Sequence, residues 1–318
     1  MTSETPRLLA VCLNPAWQKT LSFDRLTLGA VNRAASLREC GGGKGVNAAR
    51  AMRIAGASVT VASIAGGATG ALLEAELSAA GIASIAAEQP GSTRVCTTLV
   101  DGASGVVTEL IEPSPAVPAG VVEALRERVL AAVPRHAGVA LCGSAPPGVP
   151  ESFYADVARA ARAAGAVVLL DGVSGVAATL ESGVDLVKIN AGELRALSGL
   201  DDLAAAAAQC RRRWRIGWLG VTAGAAAAWL FGPGAARRWR LPRLEGLRNT
   251  TGAGDCASGI WLQRLAGRAL DDAGVAAAFV DALAAASASC LTDLPSAFDP
   301  ARAAGLRAAI RPEDPAAS

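Results

Sequence analysis

Six short, almost unbroken apolar runs punctuate the chain: Leu8–Leu13, Ser58–Ile64, Gly138–Cys142, Ala166–Leu170, Asp185–Ile189 and Ile216–Val221. Runs of this length without polar alternation are the pattern of strands buried on both faces of a parallel sheet. Ala-rich stretches of helical length alternate with them: Lys44–Ala55, Ala71–Ala80, Ala119–Val133, Glu151–Ala164, Leu203–Trp214, Gly254–Ala266 and Asp272–Ser289. Such alternation predicts an α/β fold with helices on both faces of the sheet. Two segments depart from it. Thr20–Arg38 and Thr93–Ile111 alternate polar and apolar residues, as in Thr93-Arg-Val-Cys-Thr-Thr-Leu-Val. That is the pattern of strands with one wet face, and the two are expected to pair as a small accessory sheet. The tail Arg311–Ser318, with two prolines and small residues, is expected to fray.

Length adds that 318 residues make one large domain, or one with an appendage, at roughly 150 residues per domain. No linker, repeat or charge block divides the chain, so 1–318 is expected to be a single α/β domain. A chain of this size buries about 75% of its unfolded surface and needs no covalent staples. Charge changes the picture more. Thirty Lys and Arg against 28 Asp and Glu leave +2, which argues against a nucleic-acid partner. A mean hydropathy of +0.35 raises the question of a membrane. The excess comes from Ala, and the longest candidate, Ala273–Leu291, carries Asp281 in its middle. The N-terminal apolar run is too short for a signal-peptide core, and the expectation is a cytoplasmic protein without a membrane partner.

Seven cysteines at wide spacings form no C-x-x-C pair, and the single histidine, His136, cannot complete a Cys/His zinc site. Reduced, mostly buried cysteines are expected. His136, after Pro134 and Arg135, is expected in a surface loop without chemistry, which leaves no Ser-His-Asp scheme.

The strongest candidate chemistry is Asn249-Thr-Thr-Gly-Ala-Gly-Asp-Cys-Ala-Ser-Gly running into a helical stretch. Gly252 and Gly254 let backbone approach a ligand, and the helix start that follows is an anion site. Asp255 falls in the first turn, where the helix dipole favours a carboxylate. An anion loop beside a carboxylate suits phosphoryl transfer to a hydroxyl, the acid taking the proton. An ordinary helix-capping turn is the alternative. The stretch also fits a relaxed dinucleotide fingerprint, but no strand precedes it.

A second signal is Gly41-Gly-Gly-Lys-Gly-Val-Asn-Ala-Ala-Arg. It is no Walker loop, because Arg38 stands at the first Gly position and Gly45 follows Lys44. Four glycines around a lysine still make either a cradle in which Lys44 meets a phosphate and Asn47 a hydroxyl, or a flexible turn with a solvated lysine. The third, Lys188-Ile-Asn-Ala-Gly-Glu, ends a buried-type strand, where parallel sheets bind ligands. Asn190 and Glu193 are hard oxygen donors for Mg²⁺ or its waters, or else the cap of the next helix. The fourth, Val221-Thr-Ala-Gly, ends another strand and offers Thr222 and Gly224 to a nucleotide.

These motifs in this order resemble the ribokinase/PfkB family of carbohydrate kinases, from about Leu13 to about Ser289. The likeness is strongest to the 1-phosphofructokinase and tagatose-6-phosphate kinase branch. It rests on Asn14-Pro15-Ala16, Val31-Asn32-Arg33, Gly42 to Arg50, Thr93-Arg94, Thr108-Glu109-Leu110, Gly143-Ser-Ala-Pro-Pro-Gly148 and the Gly-Ala-Gly-Asp loop. The resemblance implies a ribokinase-like fold, with a discontinuous β lid from about 15–40 and 92–112 that pairs across a homodimer.

It also implies ATP and Mg²⁺, with Asp255 as base for a sugar hydroxyl and Gly252, Ala253 and Gly254 as anion hole. Lys188, Asn190, Glu193, Thr222 and Gly224 fall to the nucleotide side, with Asn190 and Glu193 reaching the metal through water. Asn14, Gln18, Gly42, Gly43 and Asn47 fall to the sugar. Lys44 and Arg94 are assigned to a substrate phosphate, since charge-assisted bonds to phosphate are strong.

One departure stands out: Gln18 occupies the position where the family usually has Asp, and carries no charge. The expectation is an ATP-dependent kinase of a phosphorylated ketohexose. The rivals are a kinase of an unphosphorylated sugar or nucleoside, and an inactive nucleotide- or sugar-binding regulator.

Overall fold

The structure, a computed structural model, describes residues 6–314. Seven parallel strands form the body of the main sheet, in the order β11 (Ile216–Ala223), β10 (Val184–Asn190), β9 (Val167–Asp171), β8 (Gly138–Cys142), β1 (Arg7–Cys12), β4 (Ser58–Ala65) and β5 (Ala83–Glu88). Beyond β11 the edge turns antiparallel through β12 (Ala227–Phe231), β13 (Arg237–Arg240) and β14 (Arg311–Glu313). The six apolar runs are six of the seven parallel strands. Their residues alternate between two cores: Leu8, Ala10 and Cys12 face one side of β1, and Leu9 and Val11 the other.

On the first side lie α1 (Lys44–Ile54), α2 (Gly67–Ala79), α8 (Ala253–Leu265), α9 (Asp272–Ser289) and α10 (Pro300–Arg307). On the second lie α3 (Ala119–Ala132), α4 (Ser152–Ala163), α5 (Ala177–Ser182), α6 (Ala191–Ser198) and α7 (Leu203–Arg213). Helix α9 is long and apolar enough to cross a membrane by length and composition. Here Phe279 and Leu283 pack into the first core with Trp261 of α8.

The two alternating segments supply a second sheet of four strands, ordered β3 (Ser36–Gly42), β2 (Ala16–Phe23), β6 (Val95–Asp101) and β7 (Val107–Ile111). Register places Gln18 opposite Cys40 on one side and Cys96 on the other, so these three share a face. Trp17, Lys19 and Leu21 take the opposite face.

The sequence pattern missed β5, β12, β13 and the helices α5 and α10, and signalled α6 only through the cap at Asn190 and Glu193. The strand Arg237–Arg240 is three arginines around Trp239, because a strand held by backbone pairing to β12 and β14 needs only one buried side chain. The tail expectation is corrected: Arg311–Glu313 pairs with β13, and Glu313 forms ion pairs with Arg238 and Arg240. Pro312 is tolerated there because the strand is an edge; residues 315–318 lie outside the described residues. His136 is half-buried rather than a solvated loop residue, with Nδ1 2.8 Å from the Ala132 carbonyl oxygen. All seven cysteines are free, and five are fully buried.

Candidate active site

The carboxyl ends of β1, β8, β9, β10 and β11 meet the N-termini of α1 and α8 at one side of the main sheet. What brings the two helices together is a small residue at their crossing. A Cβ at Gly259 would stand 2.5 Å from the Ala48 carbonyl oxygen, so only glycine permits this approach. One consequence is that Asn47 Nδ2 of α1 donates to Asp255 Oδ2 of α8 at 2.9 Å, across 208 residues of chain.

Gly252 caps α8 with φ +77, a left-handed conformation suited to glycine, and no side chain caps the helix. The Ala253 amide reaches the Thr250 carbonyl at 3.3 Å, whereas those of Gly254 and Asp255 make no hydrogen bond among the described residues. The free donors of the expected anion hole are thus Gly254 and Asp255. Beside them is a cation. A Cβ on Gly254 would lie 2.6 Å from Lys188 Nζ. Lys188 is 4% exposed, yet its ammonium makes no hydrogen bond or ion pair among the described residues. A buried charge without a contact partner is expensive unless a ligand completes it.

Asp255 is itself buried. Burial, with the Asp171 charge behind it, pushes its carboxyl up to about 6 against the pull of Lys44, the Asn47 bond and Lys188. A base poised near neutrality suits proton abstraction.

Lys44 departs from its expected place on a substrate phosphate. Its Nζ donates to Asp171 Oδ1 at 2.8 Å and to Glu193 Oε1 at 3.1 Å. Burial opposes its charge, but Asp171, with Asp255 and Glu193 behind it, holds the ammonium above its ordinary range. Asp171, fully buried at the end of β9, also accepts from Ser258 Oγ. Burial alone would raise it, but the charges of Lys188 and Lys44 hold it below the usual carboxylate range.

Asn190 and Glu193 form a full capping box on α6: Asn190 Oδ1 accepts from the Glu193 amide and Glu193 Oε2 from the Asn190 amide, both at 2.8 Å. Among the described residues no group of three His, Cys, Asp or Glu is placed to hold a metal. Each Glu193 oxygen keeps a lone pair, which fits an ion held by phosphates and water rather than by a protein cage. Thr222 pairs in register with Asn190 on the neighbouring strand, and Gly224 turns toward β12 with φ +58 and open space around it.

On the other side of the site, Arg94 donates to the Asn14 and Pro15 carbonyls at 3.2 and 3.4 Å, and Asn14 Oδ1 accepts from Ser114 Oγ. Gln18 is 6% exposed, and its amide makes no hydrogen bond among the described residues. A Cβ on Gly42 would come 2.8 Å from Gln18 Oε1, so the glycine makes room for that amide. Gly43 begins α1 at φ +100.

Asp171 and Ser296 escaped the sequence reading, and Ser258 and Arg50 stood in its motifs without a role. For Asp171 a signal existed, an acid closing a buried strand. The others take meaning only from partners far along the chain.

A family model described as pfkB family carbohydrate kinase matches residues 12–297. A 1-phosphofructokinase of Rhodobacter capsulatus is 34% identical over 259 residues, covering 79% of this chain and 81% of the relative. An ATP-dependent 6-phosphofructokinase isozyme 2 of Mycobacterium tuberculosis is 30% identical over 255 residues, 79% of this chain and 75% of the relative. Among solved structures, phosphofructokinase-2 from Escherichia coli in complex with potassium superimposes with a TM-score of 0.84 at 25% identity, covering 96% of this chain and 99% of that one.

Proposed function

Because this chain belongs to the PfkB family of carbohydrate kinases, we propose that it transfers the γ-phosphoryl group of ATP to a hydroxyl of a phosphorylated ketohexose, of the 1-phosphofructokinase or tagatose-6-phosphate kinase type. The observation that carries the reading is the pairing of a buried base with a buried cation that no hydrogen bond or ion pair engages among the described residues, across one anion hole. Asp255 takes the proton of the acceptor hydroxyl while Asn47 holds its other oxygen. The Gly254 and Asp255 amides and the Lys188 ammonium stabilise charge on the phosphoryl group as it moves. Arg94 meets the substrate's own phosphate, and Gln18 a sugar hydroxyl. Lys44 stands between the Asp171 and Glu193 carboxylates, on the donor side. Glu193 and Asn190 would hold Mg²⁺ through water, where it would neutralise charge on the ATP phosphates.

The second sheet serves as a lid over the sugar, excluding water from the phosphoryl group. Its face opposite Gln18 carries Leu37 and Leu110, 54% and 53% exposed, which a second copy of the chain would cover. The cytoplasm, where ATP is available, is the proposed compartment. One observation favours a kinase of an unphosphorylated sugar as the second reading: with Lys44 spent on carboxylates, only Arg94 remains of the two cations assigned to a substrate phosphate.

ADP release with ATP and Mg²⁺ tests both, against fructose 1-phosphate, fructose 6-phosphate, tagatose 6-phosphate, free hexoses and nucleosides. Turnover on one phosphosugar, reduced by about a thousandfold or more in Asp255→Asn, is the expected result. Turnover on a free sugar alone selects the second reading. ATP binding without turnover on any of them makes the protein a binding regulator.

A further inference from the structure

The glycine loop ends in Arg50, a residue with no part in the chemistry above. Its guanidinium lies on the inner face of α1 and is 7% exposed. Nη1 donates to Asn47 Oδ1 at 3.0 Å and to the Pro295 carbonyl at 2.9 Å. Nη2 donates to the Gly41 carbonyl at 2.7 Å and to Glu76 Oε1 at 2.8 Å. Glu76 balances the buried charge and its second oxygen accepts from the Gly41 amide.

Resting on the reading of Asp255 as base, we propose that Arg50 is a positioning residue, which fixes the Asn47 amide in the one orientation that donates to Asp255. The argument is one of donors and acceptors. Arginine can only donate, so the Asn47 oxygen must face it. The Asn47 nitrogen is then left facing Asp255 Oδ2. The flipped amide would set NH₂ against the guanidinium and a carbonyl against the carboxylate, both repulsive. An amide that is ambiguous elsewhere is therefore determined here by its neighbour.

The same guanidinium reaches further. Pro295 precedes Ser296, the one non-glycine residue among the described residues with a positive φ, at +59. Ser296 Oγ donates to the Gly252 carbonyl at 2.7 Å. Arg50 thus ties the glycine loop, the partner of the base and the loop behind the anion hole to one rigid cation.

Several groups face Asp255: Lys44 and Asn47 from α1, Asp171 from β9, Lys188 from β10, the Cys12 and Cys142 thiols from β1 and β8, and its neighbour Cys256. Of these, the Asn47 bond is the one that Arg50 controls. It favours the ionised carboxylate, so losing it makes Asp255 harder to ionise. As pH falls through the carboxyl's value the base is protonated and kcat falls, so a harder ionisation moves that limb to higher pH.

The test is the acid limb of kcat against pH, at saturating ATP and sugar, together with thermal unfolding. Arg50→Gln should move the limb up by about one pH unit, the scale of one lost hydrogen bond to a carboxylate. Asn47→Ala should move it equally, and the double variant no further than Asn47→Ala alone, because the two act in series. Arg50→Lys keeps a cationic donor on a single nitrogen and should give a smaller shift in the same direction; it is the variant to measure if Arg50→Gln does not fold. A lower melting temperature with an unmoved limb, while Asp255→Asn is inactive, overturns the inference and leaves the base assignment standing. Shifts that add in the double variant overturn it as well. A wild-type rate in Asp255→Asn removes the base, and the inference with it.

Discussion

The two sheets that frame the site are built in opposite ways. In the main sheet, β1 and β8 are covered by helices on both faces, and Leu8, Leu9, Val139 and Leu141 have no exposed surface. In the second sheet, β7 is exposed along its whole length, and Ile111 is 60% exposed. The charges follow the same division. Lys188 and Asp171 sit on central strands of the main sheet, and Asp255 on a helix packed against it, all nine-tenths buried or more. The second sheet contributes the neutral Gln18, with Arg94 at the entry to β6. Charges that act on a transition state must be held without reorganising, which a strand buried on both faces provides. A sheet with one wet face has less to hold it and belongs to the low-stability end of a fold. Under the proposed function, chemistry falls to the first sheet, and sugar recognition and assembly to the second.

Three variants would break or sharpen that division. The largest effect is expected for Lys188→Met, which removes the cation beside Gly254. It should lower kcat by about a hundred- to a thousandfold, the cost of one lost donor to a developing anion. Steady-state kinetics should show little change in the sugar KM. An unchanged kcat would take the chemistry off the main sheet. Arg94→Ala should do the reverse, raising KM for a phosphosugar about 10- to 100-fold while KM for ATP stays put. Equal rises for both substrates would dissolve the boundary between the sheets. The smallest effect on the fold belongs to Leu37→Glu combined with Leu110→Glu. Each exposed site should change stability by about 0.5 kcal/mol or less. By light scattering the wild type should be a dimer and the variant a monomer; a monomeric wild type removes the assembly role.

The same contrast explains what could be read beforehand. Strands buried on both faces leave an unbroken apolar run, so β1, β4, β8, β9, β10 and β11 were legible to within two residues. The edge hairpin was not, since Ala227–Phe231 begins in alanine and Arg237–Arg240 is three-quarters arginine. At the candidate site, the left-handed turn at Gly252 and the place of Asp255 in the first turn of α8 were legible because both lie within four residues of each other. Lys44 was placed on the sugar phosphate, because a lysine among glycines says nothing about which carboxylates will surround it. Its partners, Asp171 and Glu193, lie 127 and 149 residues away. The capping box of Asn190 and Glu193 was visible in their spacing, but not that Glu193 would also take Lys44.

By itself the sequence determined what local chemistry controls: which segments become strands and helices, where glycine permits a left-handed turn, and which helix starts are left open for an anion. Tertiary structure alone decided the electrical state of the site. Asp255 is raised and Asp171 lowered, although both are aspartates at the end of a secondary-structure element. Both are buried and both feel Lys44 and Lys188. The difference is that Asp171 accepts directly from Lys44 and Ser258, whereas Asp255 has the neutral Asn47 amide and the Asp171 charge beside it. These contacts depend on distances between residues far apart in the chain.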